Sequence, residues 1–107
     1  MYTYKAKVGR VIDGDTVVLE IDLGFKIFHI MSCRLVGVNA PELNAKDEVV
    51  KLAAVESKEY LMSLLPVGKE ITIKSTRLDK YGRALVWMDG VNEKMGLFVL
   101  PYNISKK

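Results

Sequence analysis

Cysteine occurs once, at Cys33, and histidine once, at His29. A single thiol rules out an intrachain disulfide, and one thiol with one imidazole cannot build a zinc site. Cys33 reads as a small core residue and His29 as structural. No apolar run approaches the roughly 20 residues of a membrane span. The opening Met1-Tyr2-Thr3-Tyr4-Lys5 leads straight into strand-like sequence, without the apolar segment of a signal peptide, so the expected location is cytoplasmic. Repeats, linkers and low-complexity segments are also missing. What remains is 107 residues, half of them apolar, enough for one compact core. The excess of 16 Lys+Arg over 13 Asp+Glu gives a net charge of +3, which permits a polyanionic partner without demanding one. The cations are unevenly placed: Lys69, Lys74, Arg77, Lys80 and Arg83 lie close together in sequence, and Lys106 and Lys107 close the chain.

Hydrophobic spacing divides the chain into five strands and a helix. Residues 2–12 mix β-branched, aromatic and basic side chains as a first strand, and Asp13-Gly14-Asp15 is a turn. From Thr16, the residues Val17, Leu19 and Ile21 alternate with Thr16, Glu20 and Asp22, predicting a half-buried strand with the second set outward. Lys26 to Val38 reads as a long, central third strand because its apolar content is nearly continuous. Pro41 marks a loop. Asn44 is the expected N-cap of a helix running to about Leu65, with Val50, Ala54, Ser57, Leu61 and Leu64 on one stripe; Pro66 and Gly68 stop it. Ile71 and Ile73 mark a fourth strand and Arg83 to Met88 a fifth, with Tyr81-Gly82 in a loop. Asn92 to Leu97 suits a short helix limited by Gly96 and Pro101, with residues 98–107 a frayed tail. Trp87 and the methionines read as core. Residues 1–107 thus form a single α+β domain. Its fold is a five-stranded OB-fold barrel with one main helix between strands 3 and 4.

Three segments carry chemistry: Asp13-Gly14-Asp15-Thr16, then Arg34-Leu35-Val36-Gly37-Val38-Asn39-Ala40-Pro41-Glu42, then Asp79-Lys80-Tyr81-Gly82-Arg83. They offer oxygen ligands for a hard cation, two guanidiniums able to clamp a phosphate, and a glutamate able to act as general base on water. That inventory suits phosphodiester cleavage. Taken together, these segments resemble the thermonuclease, or staphylococcal nuclease-like, family. The resemblance spans roughly residues 5–90 and includes the helix stretch Ala54-Val55-Glu56-Ser57-Lys58-Glu59-Tyr60-Leu61.

The resemblance implies an OB-fold enzyme that hydrolyses DNA, single-stranded by preference, and RNA, typically with Ca²⁺; Mg²⁺ and Mn²⁺ are alternatives. Matched by motif, Arg34, Glu42 and Arg83 take the catalytic positions. Asp15, Asn39 and Ala40 take the metal positions, Ala40 through its backbone carbonyl. Lys80 and Tyr81 take positions that touch a terminal phosphate of the substrate. Asn39 departs from the family's commoner Asp, and the lost charge implies weaker calcium binding, in the millimolar range. The short C-terminus implies less covering of the barrel. This leaves a monomer or a weak homo-oligomer through that region, with Tyr102 a candidate for a substrate-facing tyrosine. The competing reading is a catalytically weak or inactive barrel that binds nucleic acid or protein. Retention of Arg34, Glu42 and Arg83 argues for the enzyme.

Overall fold

In the computed structural model, which describes residues 1–105, the five strands close into a barrel in the order β1-β2-β3-β5-β4. The strands are β1 (Tyr2–Asp13), β2 (Thr16–Asp22), β3 (Phe28–Leu35), β4 (Glu70–Leu78) and β5 (Ala84–Met88). Helix α1 (Glu48–Leu64) lies between β3 and β4, and α2 (Val91–Ser105) follows β5. This is an OB-fold-like α+β barrel with two helices.

Alternation builds the interior. Ala6 and Val8 of β1, Val17, Leu19 and Ile21 of β2, and Ile73 of β4 all point inward and are buried. Cys33 and Leu35 of β3 and Val86 and Met88 of β5 complete the core. The pairing β1–β2, β2–β3, β1–β4 and β4–β5 is antiparallel; only β3–β5 is parallel, through Cys33–Ala84, Arg34–Leu85 and Leu35–Val86. Register shifts in β1 between Val8 and Arg10, and between Val11 and Asp13, bend the strand as barrel closure requires.

Several expectations need correction. The third strand is shorter than residues 26–38 and its first half is not central: Phe28 and Ile30 are more than half exposed. On the side away from β2 this half has no strand partner among the described residues, because β5 begins only at Ala84. Composition cannot tell an exposed apolar edge from a buried strand. The N-cap of α1 is Asp47 rather than Asn44: its carboxylate accepts from the N–H groups of Val49 and Val50 at 2.8 and 3.5 Å. The predicted stripe holds in its centre, where Ala54, Ser57 and Leu61 are buried.

Residue Arg83 lies in the loop before β5, not in it. Thr16 is buried rather than outward-facing to solvent. The second helix does not stop at Gly96 or fray from residue 98. It runs through Pro101 to Ser105 because Met95 and Val99 are buried and the Phe98 ring stacks on Tyr60 of α1 at 4.5 Å. Docking on α1 outweighs the poor intrinsic helicity of Gly and Pro. The expectation for Lys106 and Lys107 lies outside the described residues. Met88 and Met95 are core, whereas Met1 and Met62 are exposed and Trp87 is half-buried.

Gly14 fixes how α1 and the loop after β3 approach the barrel. A Cβ there would lie 2.7 Å from both the Ala40 and the Ser57 Cβ atoms. Both neighbours are stiff, one on a loop against the barrel and one on a buried helix face. Gly14→Ala should therefore lose about 1–3 kcal/mol of stability, measured by urea denaturation. An unchanged midpoint would show that the helix can yield at no cost.

Candidate active site

The turn between β1 and β2 is an Asx turn: the Asp13 carboxylate accepts from the Asp15 N–H at 3.0 Å. It delivers Asp15 and Thr16, both buried, to the point where the end of β3 meets the start of β5. Thr16 lies directly across from Arg34, and Arg34 across from Leu85. The Asp15 carbonyl accepts from the Leu35 N–H at 2.8 Å, locking the turn to β3.

Four side chains converge there. One Asp15 carboxylate oxygen accepts the Thr16 hydroxyl at 2.9 Å. The other accepts the Ala40 N–H at 3.1 Å and faces the Arg34 guanidinium at 3.5 Å. The Arg83 guanidinium donates to the Thr16 oxygen at 3.3 Å. Arg34 and Arg83 thus meet across adjacent residues of one turn, each side chain about one quarter exposed, which leaves donors facing outward.

The 79–83 loop has its own brace. Asp79 accepts from the N–H groups of Tyr81 and Arg83, both at 2.9 Å, and from Arg83 Nε at 2.8 Å. Partial burial pushes the Asp79 carboxyl up, but these three donors and the Arg83 charge outweigh it, so the net direction is down and it stays ionised. The Lys80 ammonium and the Arg83 guanidinium lie 5.1 and 5.4 Å from the centre of the exposed Tyr81 ring, within cation–π range. Lys80 and Tyr81 are therefore on the same rim as Arg83.

Of the expected site residues, the structure brings Asp15, Arg34, Ala40 and Arg83 into contact, with Lys80 and Tyr81 beside them. It leaves Asn39 and Glu42 exposed on the loop after β3. Neither side chain has a hydrogen bond or ion pair to the cluster among the described residues. Thr16 and the side-chain bond from Arg83 Nε to Asp79 were not anticipated. The second had a local signal, an acid four residues before an arginine across a Tyr-Gly turn. The first had none, since alternation places Thr16 outward.

The electrostatics are those of a crowded acid. Burial raises the Asp15 carboxyl first, and hydrogen bonding to and repulsion from Asp13 add to it; the Ala40 N–H and Arg34 only partly offset this, leaving it at about 6. Cys33 is pushed up to about 12 by burial, which removes it as a nucleophile. Among the described residues no three His, Cys, Asp or Glu side chains gather as a metal-binding group, and no helix is long and apolar enough to cross a membrane.

Because the folded-state value of Asp15 lies above its ordinary 3.8, the native state holds a proton that the unfolded chain releases. The resulting stability is present below pH ~4 and is lost as pH rises through about 6, on the order of 2 kcal/mol after solvent screening. Asp15→Asn should flatten this part of the pH profile. Urea midpoints at pH 4 and pH 8 check it, and equal pH dependence in both proteins would refute the assignment.

No family model matches the chain. It is 35% identical over 89 residues to endonuclease YhcR of Bacillus subtilis (strain 168), an alignment covering 77% of this chain and 7% of that protein. The chain thus spans a small part of the length of this relative, of which it is a distant partial homologue.

Proposed function

We propose that the chain is a metal-dependent nuclease of the thermonuclease type, hydrolysing phosphodiester bonds of single-stranded DNA and of RNA. The observation that carries this reading is the meeting of Arg34 and Arg83 on the Asp15–Thr16 turn. Each guanidinium is steadied by a carboxylate, Arg34 by Asp15 and Arg83 by Asp79, while part of each stays exposed. Two positioned guanidiniums suit a phosphate whose equatorial oxygens gain charge during hydrolysis. The likeness to a protein named endonuclease supports the same chemistry.

In this reading Arg34 and Arg83 hold the attacked phosphate from two sides. Glu42, on the exposed loop after β3, takes a proton from the attacking water. Lys80 and Tyr81 hold a flanking phosphate and stack on a base. Asp79 is a positioning residue, acting through Arg83.

The donor set fits a hard cation. Asp13 and Asp15 bring two carboxyls together, and the Asp15 carboxyl, raised first by burial and then by Asp13, carries a penalty that a cation would relieve. Asp15, the Asn39 side-chain oxygen and the Ala40 carbonyl would hold Ca²⁺, or Mg²⁺ or Mn²⁺, with water completing the shell. When bound, the ion would neutralise a phosphate oxygen and act as a Lewis acid.

The test is hydrolysis of heat-denatured DNA across a calcium titration. Cleavage should appear at millimolar metal, vanish with chelator, and fall at least a hundredfold in Glu42→Ala, about the usual contribution of a general base. Arg83→Lys should lose much of the rate, since lysine lacks the planar fork. Binding of DNA without turnover at any metal concentration would favour the alternative, an OB-fold binding module.

A further inference from the structure

The short reach of β5 opens the barrel at one end. Between the unpaired half of β3 and the last residues of β4 no strand intervenes among the described residues, since β5 meets β3 only from Cys33 onward. A cavity of about 270 Å³ fills this gap. That is near the lower edge of small-molecule sites, roughly 300–1,000 Å³, so it has room for a flat ring system rather than a whole chain. Tyr2, Tyr4, Leu23 and Met31 give it apolar and aromatic walls, and Leu78 and Arg77 form the rim on β4.

Two features select the occupant. Among the described residues no carboxylate lines the cavity, although acids are plentiful elsewhere on the barrel, and Arg77 supplies a cation. Arg77 lies in the register shift between Ser75 and Leu78, which frees it from the regular ladder and leaves it exposed. The cavity also lies next to the 79–83 loop of the candidate active site: Leu78 and Ala84, which line it, are the residues that bracket that loop.

We infer that this end of the barrel is a subsite for single-stranded nucleic acid, in which a base one or more nucleotides from the scissile phosphate stacks against Tyr2 and Leu23 while Arg77 meets the backbone. Stacking on an aromatic wall accepts any base, His29, Ser75 and Thr76 add polar groups to the lining, and a cation at the rim gives a salt-dependent backbone contact. The inference rests on the reading of the chain as acting on nucleic acid. It also gives a role to Arg77, one of the clustered cations that the catalytic reading does not use.

The experiment is fluorescence anisotropy with labelled oligo-deoxythymidylates of four and twelve nucleotides, in chelator so that nothing is cleaved. The full chain should bind the twelve-mer at least about tenfold more tightly than the four-mer. Tyr2→Ala and Leu23→Ala should each remove roughly fivefold or more of that gain, and Arg77→Gln should reduce the salt slope by about one. All three positions are exposed, so folding should survive, and circular dichroism checks this. Absence of a length gain, or a gain kept by all three variants, would overturn the subsite. So would an apolar peptide that binds the cavity without competing with the oligonucleotide, since the occupant would then be a protein strand added to β3. If the variants weaken binding in a protein that cleaves nothing, the catalytic reading fails and the subsite stands. Cleavage without a length gain reverses that outcome.

Discussion

Three residue pairs hold the molecule together as a functional object. The parallel contact of Cys33, Arg34 and Leu35 with Ala84, Leu85 and Val86 is the shortest ladder in the barrel, and it joins β3 to β5 to close the sheet on itself. Arg34 and Arg83, far apart in sequence, become neighbours only through it. The Asp15–Thr16 turn then wedges into the seam, hydrogen bonded to Leu35 through its backbone and to Arg83 through the Thr16 hydroxyl. Asn92 seals the far end, its amide donating to the Val36 and Val86 carbonyls while it accepts from Met88.

The site is organised around partial neutralisation. Arg83 is held tightly, at 2.8 Å from Asp79, whereas Arg34 sits at a looser 3.5 Å from Asp15. A tightly paired guanidinium keeps a fixed direction, and a loosely paired one keeps more of its charge for a ligand. Asp15 itself is stressed by burial and by Asp13, so the same seam holds a strained acid and a loosely paired base. Such imbalance is costly in a structural core and useful where charge must be met from outside.

Much of this was legible in sequence. Val17, Leu19 and Ile21 announce a strand by their period of two, and Ala54, Ser57 and Leu61 a helix face. The first half of β3 was misread because its apolar run looks the same whether buried or left open. The continuation of α2 past Gly96 was illegible because it depends on docking against α1, not on local preference. Asn44 and Asp47 are chemically equivalent caps, and only the path of the loop chooses between them. At the site, the Asp79–Arg83 tie is local and readable. The Thr16–Arg83 bond joins residues 67 positions apart, and no spacing rule reaches that far.

The placement of Cys33 has a kinetic consequence. Its sulfur is fully buried and its residue forms one of the pairs that close the barrel. A thiol pushed so far up does not react while that seam is shut. Separation of β3 from β5 would expose it and restore ordinary acidity. The single thiol therefore reports the opening rate of the seam on which both arginines depend, so the frequency of site disassembly can be read as the rate of chemical modification at one atom.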